Sequence, residues 1–428
     1  MRAILYSLRS ARYRRGEDGQ MNAKMISEIL KNTDYVRVGG TGAELKTAEY
    51  LMKLSEALGA KAHLEPFPVA MADMHEAHLI ADGAEIPCKG FLCCGSGRVE
   101  APFLYLPNTD PASLDAAKGK IVLLDTGVGY FTYHDLLDAG AAGIITHNGN
   151  VNFRDSDIDQ KELRGYVSMG QKILCVNVNA KDAVKLVKKN PKTVVISVDE
   201  TEYDGESRNV VAEIPGQTDE WIVLTAHYDS TSLSRGAYDN MTGCIGLLGI
   251  MEALLKTAPN RYGLRFVFCG SEERGLLGAK AYVAAHEDEL TKIALNINLD
   301  MIGTIMGRFI ACCSTESRLV DYISYICLEQ GWGMNARQGV YSSDSTPFAD
   351  KGIPAVSFAR LAGGDLAPIH NRYDTMDVLS TTQIQKDIAF LADFTRRMAT
   401  AVKCPVKREI PENVKKELDE YLNRKRKQ

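Results

Sequence analysis

The pattern of hydrophobic and polar positions divides this chain of 428 residues into three stretches. Residues 22–66 show helical spacing of apolar side chains twice and then a strand-like run. Residues 75–198 carry mainly short β-type runs with a single helical segment. From Asn209 onward strand-like and helix-like segments alternate, which predicts an open, mixed but mostly parallel α/β sheet with helices on both faces. We predict strands at residues 209–214, 221–226, 265–270, 293–299, 308–313 and 354–359, and helices at residues 240–256, 276–285, 317–330 and 382–402.

This change of pattern predicts two domains, one inserted into the other. A discontinuous α/β domain comprises residues 22–75 and 199–404, and a small β-rich insert comprises residues 76–198. Residues 1–21 form a basic leader that we expect to be disordered. A helical pattern begins only after Met21, which is a second candidate for the first residue. Residues 405–428 form a charged tail, for which we expect a solvated helix.

Composition and charge narrow the class of protein. The chain is 45% hydrophobic and 25% charged with a net charge of −5, which gives no indication of a nucleic-acid partner. Its apolar runs are far shorter than the ~20 residues that span a bilayer, and no secretory signal is recognisable, so no membrane contact is expected. The ten cysteines include no CxxC pair, which favours reduced, buried thiols and a cytoplasmic location. The sequence leaves open whether the protein forms a homo-oligomer.

Side chains of the metal-ligand type follow the predicted strands of the second half. In open α/β sheets, ligands bind beyond the carboxyl ends of the strands. Three strands run into His227, into Glu272-Glu273 and into Asp300, so we expect these side chains at one sheet edge. Taken singly, each has an ordinary explanation, such as a structural histidine or a solvated glutamate pair; together they favour a metal site. The full candidate ligand set is His227, Asp239, Glu273, Asp300 and His370.

Two imidazoles and three carboxylates are the ligands that two zinc ions need, with one carboxylate bridging. Manganese or cobalt would suit the same ligands. Two divalent ions leave a positive excess over three carboxylates, which lowers the pKa of a nearby water towards neutrality. Glu272 is then the general base, and Asp229 is a candidate partner that fixes the tautomer of His227. This set predicts metal-assisted hydrolysis of an amide.

Five motifs occur in order along residues 200–400. They are His227-Tyr-Asp-Ser230, Ala237-Tyr-Asp-Asn240, Gly270-Ser-Glu-Glu-Arg-Gly-Leu-Leu-Gly278, Asn298-Leu-Asp-Met301 and His370-Asn-Arg-Tyr-Asp-Thr375. In this the chain resembles the co-catalytic zinc aminopeptidase family, whose relatives include glutamate carboxypeptidases and the non-catalytic transferrin receptor. The resemblance implies the zinc exopeptidase fold and peptide substrates.

The resemblance also implies a role for each ligand. Asp239 would bridge both zinc ions, His227 and Asp300 would complete one site, and Glu273 and His370 would complete the other. Glu272 would be the general base and acid. The resemblance further implies a cis peptide bond after Asp239.

One position departs from the family pattern. Many relatives carry a tyrosine directly before the last histidine, where it stabilises the oxyanion, and this chain has Ile369 there. Tyr373, Tyr341 or the metal alone would then have to stabilise the oxyanion. Asp344 lies in a stretch that also resembles a family motif near the pocket, and a helix cap is an equal interpretation.

The insert resembles the protease-associated domain in two segments, Gly119–Asp125 and Asp138–Ile145. It contains none of the proposed ligands, while both its ends join the α/β domain. We therefore expect it to form a wall or lid over the active-site edge, which admits short unfolded peptides.

These observations favour an aminopeptidase that removes N-terminal residues from peptides. A carboxypeptidase or dipeptidase on the same scaffold is the first alternative; it would need basic residues for the substrate carboxylate, and Arg337, Arg360 and Arg372 are candidates. A non-catalytic receptor or scaffold is the second alternative, disfavoured because every metal and base position is retained. A one-zinc glutaminyl cyclase is the third, and the five-ligand set counts against it.

Overall fold

The computed structural model of the protein describes residues 21–125, 127–257, 259–363 and 366–426. The predicted leader lies outside these residues except for Met21. That residue is 2% exposed, and its carbonyl accepts a hydrogen bond from the Gln385 side chain. Assigning Met21 to the leader was therefore wrong, because its side chain belongs to the core.

The larger sheet has ten strands and carries the α/β pattern. In sequence order the strands of this sheet are β1 (Lys61–Ala81), β2 (Ala84–Ile86), β4 (Gly97–Ala101), β9 (Val194–Ile214), β10 (Trp221–His227), β11 (Gly263–Cys269), β12 (Ile293–Leu299), β13 (Arg308–Ser314), β14 (Met334–Gln338) and β15 (Ala355–Leu361). Their spatial order is β14-β13-β15-β12-β10-β11-β9-β1-β2, with β4 paired to β9. The sheet is mixed, and the consecutive pairs β15-β12-β10-β11 at its centre are parallel.

The insert has a five-stranded sheet of its own, ordered β3-β8-β7-β6-β5. Its strands are β3 (Lys89–Gly90), β5 (Phe103–Leu106), β6 (Ile121–Leu124), β7 (Gly143–Asn148) and β8 (Cys175–Asn179). Strands β1 and β9 are 21 residues each and pair antiparallel over almost their whole length, linking the two sheets as a ribbon. The predicted insert boundaries, after residues 75 and 198, fall inside this ribbon. Sequence patterns missed its continuity because the middle of strand β9, residues 199–206, is mostly polar and exposed, so that backbone pairing rather than burial defines this part of the ribbon.

Helices cover both faces of the larger sheet. The helices are Ala23–Asn32, Gly42–Leu58, Pro111–Asp115, Tyr130–Asp138, Gly165–Ser168, Ala180–Lys189, Thr242–Leu255, Leu277–Ala285, Arg318–Gln330, Ser345–Asp350, Thr381–Thr400 and Glu412–Tyr421, with 3₁₀ turns at Glu287–Lys292 and Met376–Val378 and a π turn at Ala237–Met241. Helix Thr242–Leu255 is almost wholly buried, as its continuous apolar sequence requires. The predicted helices of the second half are confirmed to within two residues at each end.

The C-terminal helix differs from the solvated helix that we predicted. Val414 and Leu418 are buried, one helical turn apart, in a cluster with Ala349, Ala355 and Ile410. The prediction of a solvated tail was wrong because the buried apolar stripe has only two residues, and the charged residues around it dominate the sequence pattern. The helix is thereby attached to the α/β domain. Among the described residues, no helix has the length and apolar character needed to cross a membrane.

Candidate active site

Parallel strands bring the predicted residues to one edge of the larger sheet. His227 is the last residue of strand β10, Glu272 and Glu273 follow the neighbouring strand β11, and Asp300 follows strand β12. Asp239 lies in the irregular turn that leads into helix Thr242–Leu255. The turn's peptide bond from Asp239 to Asn240 is cis, which confirms that expectation.

The carboxylate of Asp239 lies between two imidazoles. Its Oδ1 is 3.0 Å from Nε2 of His227, and its Oδ2 is 3.1 Å from Nε2 of His370. On the first side, His227 Nε2 also lies 3.7 Å from Asp300 Oδ1. On the second side, His370 Nε2 lies 3.2 Å from Glu273 Oε2. The geometry therefore contains two ligand sets that share one carboxylate.

Three triads of donor atoms in this cluster lie within 4.8 Å of one another. They are His227 with Asp239 and Asp300, Asp239 with Glu273 and His370, and His227 with Glu272 and Glu273. All five predicted ligands therefore belong to one cluster, and Glu272, the predicted base, is a member of its third triad.

Several buried polar atoms here have no hydrogen-bond partner among the described residues. They are His227 Nδ1, Glu273 Oε1, Asp300 Oδ1 and Asp344 Oδ1. An unsatisfied buried polar atom costs about 1–3 kcal/mol. The carboxylates also outnumber the imidazoles, and like charges at close range disfavour one another. Divalent cations would satisfy the Glu273 and Asp300 oxygens and balance the charge, so the residues present fit zinc or a similar ion.

The pKa shifts in this cluster reflect the same excess of carboxylates over imidazoles. Burial disfavours a charged His370, but hydrogen bonds with Asp239 and Glu273 raise its pKa to about 11. Burial also opposes ionisation of Asp239, yet hydrogen bonds from both imidazoles lower the pKa of this carboxyl below its ordinary value. Burial raises the pKa of Glu272, and the neighbouring Glu273 carboxylate adds to the shift. Burial raises the pKa of Asp344 to about 7.

Asp229 supports the turn that carries the glutamate pair. Its Oδ1 accepts a hydrogen bond from the backbone N–H of Glu272 at 2.9 Å, and its Oδ2 accepts one from the N–H of Glu273 at 3.1 Å. His227 Nδ1 lies 3.4 Å from Asp229 Oδ1 without hydrogen-bond geometry. The clearest contacts of Asp229 are thus with the backbone, in addition to the predicted approach to His227.

Sequence reasoning missed Asp374 as a support for the bridging carboxylate. Asp374 Oδ1 accepts a hydrogen bond from the N–H of Tyr238 at 2.7 Å, and its Oδ2 accepts from the N–H of Asp239 at 3.3 Å. The hydroxyl of Ser234 donates to Oδ2 at 2.8 Å. The only signal in the sequence was the position of Asp374 in the last of the five motifs.

The cluster opens into a cleft of about 630 Å³, within the range of small-molecule sites. The α/β domain lines it with the cluster, Tyr341 and Ile369, and the insert adds Arg164 and Tyr166. The insert therefore lies on the side of His227 and His370, as we predicted. A larger cleft of about 820 Å³ adjoins it, and the two clefts share Arg164, Tyr166, Glu273, His370 and Asn423.

The C-terminal tail supplies a third wall of the cleft, which sequence reasoning missed. Its lining residues are Tyr421, Leu422 and Asn423. The hydroxyl of Tyr421 lies 2.7 Å from Oγ of Ser342, and the Arg424 guanidinium forms two hydrogen bonds with Asp350. These contacts hold the end of the tail against the α/β domain.

Other predicted residues lie elsewhere. Tyr373 is 40% exposed and its hydroxyl donates to Asp155 of the insert, so assigning it to the pocket was wrong. Its exposed loop turns the ring away, whereas Tyr341 lines the cleft. Asp344 is buried and precedes helix Ser345–Asp350, but its side chain makes no capping hydrogen bond. None of the three candidate arginines lines the cleft: Arg360 pairs with Asp387, Arg372 pairs with Asp157, and Arg337 lies in strand β14.

Comparison with known sequences agrees with this geometry. Residues 209–395 match Peptidase family M28. Aminopeptidase YwaD of Bacillus subtilis is 28% identical over 340 residues, which are 75% of this chain and 71% of that protein. Leucine aminopeptidase 2 of Trichophyton rubrum is 28% identical over 276 residues, or 63% of this chain and 55% of that protein. The chain thus spans about half the length of this fungal relative.

Solved structures with the same fold cover nearly the whole chain. A zinc aminopeptidase from Bacillus subtilis superposes with a TM-score of 0.75 at 23% identity, covering 92% of this chain and 98% of that one. An aminopeptidase from Aneurinibacillus sp. strain AM-1 superposes with a TM-score of 0.72 at 22% identity, covering 91% and 96%. Residues 209–395 of the chain therefore match peptidase family M28, and the chain as a whole has the fold of the zinc aminopeptidases.

Proposed function

We propose that this metal-dependent peptidase is an aminopeptidase that holds two zinc ions and removes the N-terminal residue of peptides. One observation carries the proposal: the two oxygens of Asp239 face two different imidazoles, at 3.0 and 3.1 Å. This arrangement supports two ions bridged by one carboxylate, with His227 and Asp300 on one and Glu273 and His370 on the other.

When bound, the ions would polarise the scissile carbonyl and acidify water. Glu272 receives the proton of the attacking water and delivers it to the leaving amine. It suits this role because burial and the Glu273 carboxylate raise its pKa, so its protonated form is accessible for the second transfer. Asp229 keeps Glu272 in place through the backbone N–H.

Tyr341 is our candidate for stabilising the oxyanion in place of the family tyrosine. It lines the cleft, and burial with the nearby Asp300 and Asp239 carboxylates raises the pKa of its hydroxyl. A phenol of raised pKa stays protonated at neutral pH and can donate a hydrogen bond to developing negative charge.

The cysteines support a reducing compartment, such as the cytoplasm, for this enzyme. All ten are free, and nine of them are buried. Burial raises the pKa of several of these thiols, for example that of Cys244 to about 12, so they are inert structural groups.

The experiment is a substrate panel with metal-free protein and with protein resupplied with zinc. We expect cleavage of leucine p-nitroanilide, none of its N-acetyl form, and loss of activity on chelation. Release of C-terminal residues from N-blocked peptides would instead identify a carboxypeptidase. Zinc binding without turnover of any substrate would favour the receptor-like alternative.

A further inference from the structure

Two cationic side chains line the cleft without an acidic partner. Arg164 comes from the insert; its guanidinium donates to the carbonyl of Glu273 and, at 3.0 Å, to the hydroxyl of Tyr166. Lys280 comes from helix Leu277–Ala285, and its Nζ lies 5.0 Å from the centre of the Tyr166 ring. Among the described residues, neither cation has a carboxylate oxygen within 4.0 Å. Both cations can therefore still pair with an anion.

Burial opposes the charge of both side chains, and Glu272 favours both charges from beyond ion-pair distance. Both side chains are half-buried, and burial together with the nearby Arg164 charge lowers the pKa of Lys280. Partly desolvated cations of the same sign are stable only when something compensates them. Asp350, one acidic neighbour of Lys280, is already engaged by Arg424 of the tail at 2.6 Å. An anion entering the cleft would therefore gain from both charges.

The cleft also limits how far a substrate extends beyond the metal cluster. Tyr421 and Asn423 form its wall on the tail side. This wall is fixed at both ends, by the Tyr421 hydroxyl on Ser342 and by the Arg426 guanidinium, which forms two hydrogen bonds with Asp135 of the insert. A peptide chain advances about 3.3–3.6 Å per residue, so a cleft of about 630 Å³ accommodates only a few residues between the cluster and this wall.

We propose that the preferred substrates are short peptides whose C-terminal carboxylate binds between Arg164 and Lys280. This inference rests on the aminopeptidase function proposed above and adds the class of substrate. The metal cluster then acts on the first peptide bond while the two cations hold the far end. Arg164 is hydrogen-bonded to the Glu273 carbonyl and so also supports the cluster. A substitution of Lys280 therefore tests carboxylate binding without removing that support.

The test compares kcat/KM for Leu-Gly-Gly with that for the same tripeptide carrying a C-terminal amide. For the wild-type zinc enzyme, we expect the free acid to be preferred at least tenfold, because a hydrogen bond to a charged group contributes about 1.5–3 kcal/mol. In Lys280→Met this ratio should fall about tenfold, and in Lys280→Arg it should be largely restored. Lys386→Met, at an exposed lysine of helix Thr381–Thr400, is the matched control and should keep the wild-type ratio.

The outcomes separate the two proposals. A wild-type ratio near one, with leucine p-nitroanilide cleaved normally, would overturn the carboxylate site and leave the aminopeptidase function intact. A wild-type preference that Lys280→Met preserves would also overturn it. Failure of the zinc enzyme to cleave any of these substrates would overturn both. If a variant does not fold, the comparison of the free-acid and amide tripeptides with the wild-type enzyme still tests the carboxylate site.

Discussion

The backbone N–H of Glu272 donates a 2.9 Å hydrogen bond to Oδ1 of Asp229, which is completely buried. The proposed general base therefore depends on a carboxylate that itself binds no metal in our proposal. Replacing Asp229 by Asn removes a charge and places an amide against one of the two N–H donors. We expect kcat/KM to fall about 10–100-fold with the fold retained, the usual cost of losing such a supporting group.

This prediction is checked by steady-state kinetics and circular dichroism of Asp229→Asn. Asp288→Asn is the matched control, because Asp288 is exposed in the turn Glu287–Lys292. Wild-type turnover in Asp229→Asn would show that the turn is held without Asp229.

Glu272→Gln tests the base directly. Removing a general acid–base lowers kcat by about 10²–10⁴-fold. Zinc content should be unchanged, because the five ligands remain. Glu56→Gln, at an exposed position of helix Gly42–Leu58, serves as control. If kcat of Glu272→Gln matched that of Glu56→Gln, another residue would be the base.

Glu44 should make folding stability depend on pH. It is completely buried, and its burial together with the Asp229 carboxylate raises its pKa from 4.5 to about 7. The folded state therefore keeps this proton up to about pH 7, whereas the unfolded state releases it near pH 4.5. The stabilisation is full below the unfolded pKa and is lost as pH rises through the folded pKa, by up to about 3 kcal/mol.

The measurement is urea unfolding of wild type and Glu44→Gln at pH 4.5 and 7.5, with chelator present. Because the glutamine does not titrate, the wild-type free energy of unfolding relative to the variant should fall by up to about 3 kcal/mol over this interval. A difference that does not change with pH would contradict the shift.

Leu418→Ala tests whether the C-terminal helix is part of the folded domain. Leu418 is 3% exposed, so truncation should destabilise the attachment of the helix by about 2–5 kcal/mol. Faster hydrogen exchange and proteolysis of residues 412–426 would report it. Leu328→Ala, at a position that is 81% exposed, should change stability by less than about 0.5 kcal/mol. Equal protection of the tail in both variants would refute the attachment.

The sequence predicted the parts of this site that follow from strand periodicity. His227, Glu273 and Asp300 could be placed together because each follows a continuous apolar run, and such runs form central parallel strands with a common carboxyl edge. Asp239 and His370 needed the resemblance to a family as well, because they lie in irregular segments.

What could not be predicted depends on contacts between distant segments. Arg164 and Tyr421 reach the cleft only through the docking of the insert and the tail, and neither has a local pattern that shows this. Either Tyr341 or Tyr373 could have been the candidate for stabilising the oxyanion. The direction of two loops places Tyr341 at the cleft and Tyr373 away from it, and sequence spacing does not determine that direction.

The central claim is that two ions share the Asp239 carboxylate, and counting the metal tests it most directly. Metal-free protein would be titrated with zinc under a competing chelator, and bound zinc per chain would be measured by elemental analysis at saturation. We predict two zinc ions per chain, with full activity only when both are bound. Saturation at one zinc ion per chain with full activity would contradict this account.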